Sequence, residues 1–144
     1  MMLGMTRWSE FVLLAGISLA IASGQTQNPI LVNLDTAKWT HEKGDPPGME
    51  AAVLREDAAT GGMEMIVRFP PGHVIKPHYH DSNERVIVLE GQLTVRQDNG
   101  ETALKSGGFA FLPAHEVQRL SCTSPARCMV YLSWDGKPDS HAAK

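Results

Sequence analysis

The chain has 144 residues, enough for one hydrophobic core and too few for two domains. Hydrophobic residues make up 42% and charged residues 20%, the balance of an ordinary globular protein. A formal net charge of -3, with no basic cluster, speaks against nucleic acid or anionic lipid as a partner, since both require grouped Lys and Arg.

The first segment reads as a targeting signal. Arg7 precedes the apolar run Phe11–Ala22, and small residues follow at Ala20, Ala22, Ser23 and Gly24. A short apolar stretch behind a positive charge, ending in an Ala-x-Ala pattern, predicts a signal peptide over residues 1–24. The alternative is an uncleaved anchor, but the run falls short of the roughly 20 residues a spanning helix needs. The mature chain is therefore expected to start between Ser23 and Gln27, to be exported to the periplasm or beyond, and to keep no membrane association.

The mature chain carries a period of two rather than 3.6. Residues 25–60 are predicted as an N-terminal edge segment, with Ile30–Leu34 as an edge strand and Ala51–Arg55 as a second strand. Met63, Met65, Val67 and Phe69 alternate with Glu64, Ile66 and Arg68 until Pro70-Pro71-Gly72 breaks the run. Arg85–Leu89 is a β-branched run that stops at Gly91. Leu93 and Val95 alternate with polar neighbours before the turn Asp98-Asn99-Gly100. Further strands are expected at Glu101–Lys105, Phe109–Leu112, Val117–Cys122 and Met129–Ser133. Many short strands with Gly and Pro at the corners predict a single all-β sandwich or barrel, with its core in residues 61–134. Residues 135–144 are polar and are expected to form a flexible tail.

Cys122 and Cys128 flank a turn-like segment, and in an oxidising compartment they are placed to form a disulfide. The other reading is two small buried thiols. The spacing is not that of a redox-active Cys-x-x-Cys pair.

His78 and His80 stand at i and i+2, which on a strand directs both imidazoles to one face. Glu84 follows after Asp81-Ser82-Asn83 and opens the apolar strand. A carboxylate at the mouth of such a strand needs a partner, because an unpaired buried charge is costly. A divalent cation held by two imidazoles and one carboxylate answers that need and leaves coordination positions open, an arrangement suited to Fe, Mn or Zn.

The segment from Gly72 through His78, His80 and Glu84 to Gly91 resembles the first motif of the cupins at every fixed position. The second cupin motif is matched at Gly107 and Pro113 only. His115 stands in place of the turn glycine, Gln118 in place of the ligand histidine and Cys122 in place of the asparagine. The resemblance covers roughly residues 60–134 and points to small exported single-domain cupins, among them the ChrR-like barrels. It implies an all-β, cupin-type small β-barrel (a double-stranded β-helix, or jelly roll). It also implies a metal on His78, His80 and Glu84, a small-molecule ligand or substrate, and a homodimer. Gln118 is expected as a weak ligand, or as a hydrogen-bonding group beside the metal, with His115 as the alternative ligand. The strand parity of His115 is wrong for that role unless the Pro113-Ala114 turn reorients it. Lys76, which shares parity with His78, is a candidate for the cavity mouth; Tyr79, directed away, is expected to pack. Two functions remain open. One is a metal-dependent, dioxygenase-like oxidoreductase in which Glu84 is catalytic, as ligand or proton carrier. The other is a non-catalytic metal- or ligand-binding module.

Overall fold

The computed structural model describes residues 28–143. The predicted signal peptide lies outside the described residues. Among the described residues, ten strands form two five-stranded antiparallel sheets, and there is no helix. In chain order they are β1 Glu50–Glu56, β2 Met63–Phe69, β3 Val74–Tyr79, β4 Glu84–Glu90, β5 Gln92–Gln97, β6 Gly100–Lys105, β7 Phe109–Leu112, β8 Gln118–Cys122, β9 Cys128–Trp134 and β10 His141–Ala142. One sheet runs β1-β2-β9-β4-β7 and the other β10-β3-β8-β5-β6.

The alternation in sequence explains the packing of these sheets. On β4, Glu84, Val86 and Val88 share a parity and are buried, whereas Ile87 is exposed. Val130, Leu132 and Trp134 of β9, Val67 and Phe69 of β2, and Leu93, Val95, Leu120 and Cys122 from the facing sheet complete one core. That parity carries Glu84 into the interior together with the valines. Gly91, which ends the β4–β5 turn, has φ +80°, and a Cβ there would lie 2.8 Å from the Arg127 carbonyl oxygen. Only glycine fits so close a backbone approach. Cys122 and Cys128 form a disulfide across the β8–β9 connection. A loop of that length adds on the order of 2 kcal/mol by restricting the unfolded chain.

Three expectations are corrected. Ile30–Leu34 is not a strand: Ile30, Leu31 and Val32 are exposed, and no ladder partner holds them. Lys76 does not share the face of His78. The pairing of β3 with β8 shifts register between Ile75 and His78, across Pro77, which has no N–H to give to the ladder. That bulge leaves Lys76 exposed while His78 is buried.

The third correction concerns the tail, whose described residues 135–143 make specific contacts with the barrel. β10 pairs with β3, His141 opposite Tyr79 and Ala142 opposite His78, and the Ala143 N–H donates to the Pro77 carbonyl at 3.0 Å. The contacts responsible are backbone hydrogen bonds and ion pairs, which leave no apolar period to read.

Candidate metal centre

His78 lies near the end of β3, His80 just beyond it and Glu84 at the first position of β4. The loop Asp81-Ser82-Asn83 turns the chain so that all three side chains enter the same interior space. Their ligand atoms lie within 4.8 Å of one another. His78 is 6% exposed, His80 7% and Glu84 2%.

Both imidazoles have a defined tautomer. His78 Nδ1 lies 2.8 Å from the Lys76 carbonyl oxygen, and His80 Nδ1 bonds the Asp139 carbonyl oxygen. A carbonyl only accepts, so each Nδ1 carries the hydrogen and each Nε2 is left with its lone pair. His80 Nε2 is buried without a hydrogen-bond partner; it sits 3.3 Å from Glu84 Oε2, outside hydrogen-bond geometry. Buried nitrogens of this kind are normally satisfied. A divalent cation between the imidazoles and the carboxylate satisfies it, so the residues present fit a metal.

The electrostatics agree in direction. Burial pulls the His80 pKa down, but the Glu84 carboxylate and the Asp139 carbonyl and carboxylate outweigh it, leaving the group above the ordinary histidine value. Trp134 packs edge-on against His80, ring centres 5.7 Å apart, and supplies an apolar wall.

Gln118 is paired directly opposite His78 across β3 and β8, and it is 1% exposed. Its amide nitrogen donates to Glu84 Oε2. A carboxylate accepts only from the nitrogen of an amide, so this contact fixes the amide's orientation. The geometry gives Gln118 the task of holding the Glu84 carboxylate, where the sequence left open direct ligation.

His115 is elsewhere. Its side chain is 69% exposed, with Nδ1 3.5 Å from Asp81 Oδ1, and it is not among the three clustered side chains. Among the described residues it is the one non-glycine residue with positive φ, +65°. The cupin pattern has glycine at this place, and the backbone keeps the left-handed turn that glycine would suit. His115→Gly is therefore expected to raise stability by up to about 1 kcal/mol and to leave metal affinity unchanged. A loss of affinity in a titration of this variant would make His115 a ligand after all.

Tyr79 packs as expected, stacked on His141 with ring centres 4.9 Å apart. Sequence reasoning missed Asp139, whose carbonyl orients His80. A backbone carbonyl has no residue-type signature, so no sequence signal marks it.

A surface groove of about 1190 Å³ lies between the 28–34 segment and strands β1 and β2, and none of the candidate ligands lines it. It is wide but carries no chemistry of the kind gathered at His78, His80 and Glu84.

Comparison with known proteins agrees with this architecture. The family model described as a cupin domain matches residues 65–134. No curated protein matches the sequence. Among solved structures, KdgF from Halomonas sp. is similar with a TM-score of 0.64 and 19% identity, covering 78% of this chain and 98% of its own. An RmlC-like cupin from Shewanella frigidimarina is similar with a TM-score of 0.64 and 18% identity, covering 80% and 97%. The polyketide cyclase RemF from Streptomyces resistomycificus is similar with a TM-score of 0.63 and 19% identity, covering 79% and 84%.

Proposed function

We propose that this chain, whose residues 65–134 match the cupin domain model and whose fold is shared with cupin structures, holds one divalent transition metal on His78, His80 and Glu84 and acts on a small organic molecule as a dioxygenase-like oxidoreductase. The observation that carries the metal is the buried, unpartnered Nε2 of His80 facing a buried carboxylate. Three protein ligands leave coordination positions open, and a bound iron would supply one-electron and dioxygen chemistry there. The chain's own residues do the rest. The imidazoles present their Nε2 lone pairs, Gln118 orients the Glu84 carboxylate, and Glu84 is the group able to hold a proton beside the metal. The Trp134 indole N–H is also buried without a partner, on the ring packed against His80, and an oxygen-bearing small molecule would satisfy it.

A second reading, a non-catalytic metal- or ligand-binding module, is favoured by one observation. All three candidate ligands and Gln118 are at most 7% exposed, so the site is closed to bulky substrates. Oxygen uptake by the metal-loaded protein across phenols, diketones and thiols separates the two. Uptake with one class supports the oxidoreductase; tight ligand binding with no uptake across the panel supports the binding module.

Metal binding should depend on pH in a defined direction. Because the folded His80 pKa is raised, the metal-free fold gains stability below the ordinary histidine value and loses it as pH rises through the folded value. Metal requires the neutral imidazole. The rise in Tm on adding Zn(II) or Mn(II) should therefore be small near pH 5.5 and larger near pH 8. A rise that shrinks toward pH 8 would contradict His80 as a ligand.

Export is part of the proposal, and the disulfide supports an oxidising compartment. A homodimer is also proposed, supported by exposed Ile87, Phe109 and Phe111 on neighbouring strands β4 and β7. Among the described residues no helix is long and apolar enough to cross a membrane.

A further inference from the structure

The segment after β9 crosses the one loop that separates two of the candidate ligands. His80 precedes Asp81-Ser82-Asn83 and Glu84 follows it, so the conformation of that loop sets their spacing. Every residue of the loop is held by the crossing segment. Asn83 Nδ2 donates to Asp135 Oδ2 at 2.9 Å, Ser82 Oγ donates to the Lys137 carbonyl at 3.2 Å, and the Asp81 N–H donates to Asp139 Oδ1 at 3.0 Å. Farther along, His141 Nε2 lies 3.1 Å from both Asp81 Oδ2 and Asp139 Oδ2, and its ring stacks on Tyr79. The same segment carries the Asp139 carbonyl that bonds His80 Nδ1.

We propose that residues 135–142 form a strap that belongs to the metal centre: Asp139, through its backbone carbonyl, is a positioning residue for His80, and the Asp81–Asp139–His141 cluster latches the strap in place.

The physical reason is the tautomer. A neutral imidazole carries one hydrogen, and it ligates through the nitrogen that lacks it. With Nδ1–H committed to Asp139, the Nε2 lone pair faces Glu84 and the cation. Without the strap, the ring is free to rotate or to move its hydrogen to Nε2, and that hydrogen must be displaced before a metal binds. Partners that orient a ligating histidine in this way typically contribute about 10–100-fold in metal affinity. His78 is served from within its own strand by the Lys76 carbonyl, so the dependence on a distant segment is particular to His80.

A strap that only covered the barrel mouth would make the same contacts with the loop. The two roles separate on the state of the His80 ring. Because the proposal rests on the metal reading, its test includes a measurement made without metal.

Three proteins are compared: the mature chain, a chain ending at Gly136, and His141→Ala, a change at a partly exposed side chain that leaves the core untouched. The readouts are the ¹⁵N shifts of the His80 ring in the metal-free protein, at a pH where it is neutral, and the affinity for Zn(II) measured against a competing chelator. The mature chain should show His80 as the Nδ1–H tautomer. In the shortened chain the tautomers should mix and Zn(II) affinity should fall by about 10–100-fold; His141→Ala should move both readouts in the same direction by less. Unchanged ring shifts and unchanged affinity in the shortened chain would overturn the proposal. If the shortened chain fails to fold, the same two readouts on His141→Ala decide it. If the mature chain binds no Zn(II), the metal reading fails by itself, and the ring shifts still decide whether the strap sets the tautomer.

Discussion

Glu84→Gln is expected to lower affinity for Mn(II), Fe(II) or Zn(II) by more than about 100-fold, beyond what loss of an orienting partner costs, while leaving the barrel folded. The side chain is 2% exposed and accepts a hydrogen bond from Gln118, and a glutamine of the same shape still offers that donor an amide oxygen. What the substitution removes is the negative charge. The cation loses its one anionic ligand among the three, and His80 loses the neighbour that outweighs its burial, so the His80 pKa should fall. Metal titration together with the pH dependence of the His80 ring shifts measures both effects. An affinity within a few-fold of wild type would remove Glu84 from the centre.

Phe69→Ala should do the reverse. Phe69 is 2% exposed within the shared core, and large-to-small changes at such sites cost about 3–5 kcal/mol. It pairs with Cys128 at one end of β9, whereas Glu84 pairs with Trp134 at the other. Six residues of strand separate the two positions, roughly 20 Å. Effects that far apart are close to independent. Urea unfolding should therefore show the full loss of stability, with metal affinity per folded molecule unchanged. A cost below about 1 kcal/mol, or a coupled loss of affinity, would mean that the core and the site are not arranged as described.

The parts of the structure that were legible in the sequence are those governed by strand parity. Glu84, Val86 and Val88 turn inward together, and His78 and His80 share a face, because side chains alternate along a strand. Gln118 was legible as inward-facing through Leu120 and Cys122, but its contact with Glu84 was not, since that depends on how two sheets meet. The misreading of Lys76 came from carrying parity through Pro77, where the ladder bulges. His115 carried a usable signal: it occupies the turn where the family has glycine, and the turn kept its left-handed backbone.

The strap was hidden for a different reason. Asp-Gly-Lys-Pro-Asp-Ser-His has the composition of a solvated tail, and composition reports apolar burial. Its order comes from carboxylates, a histidine ring and backbone groups meeting a loop more than fifty residues earlier in the chain. The Ile30–Leu34 segment fails in the opposite sense. Its apolar residues suit a strand, but no sheet edge pairs with them, and they border the groove beside β1 and β2 instead.

The central claim is that His78, His80 and Glu84 bind a metal ion, and metal analysis of purified protein tests it most directly. After expression with iron, manganese and zinc supplied, the wild-type protein should carry stoichiometric metal, and the His78→Ala/His80→Ala variant should carry none while remaining folded. Equal, negligible metal in both proteins would contradict the account.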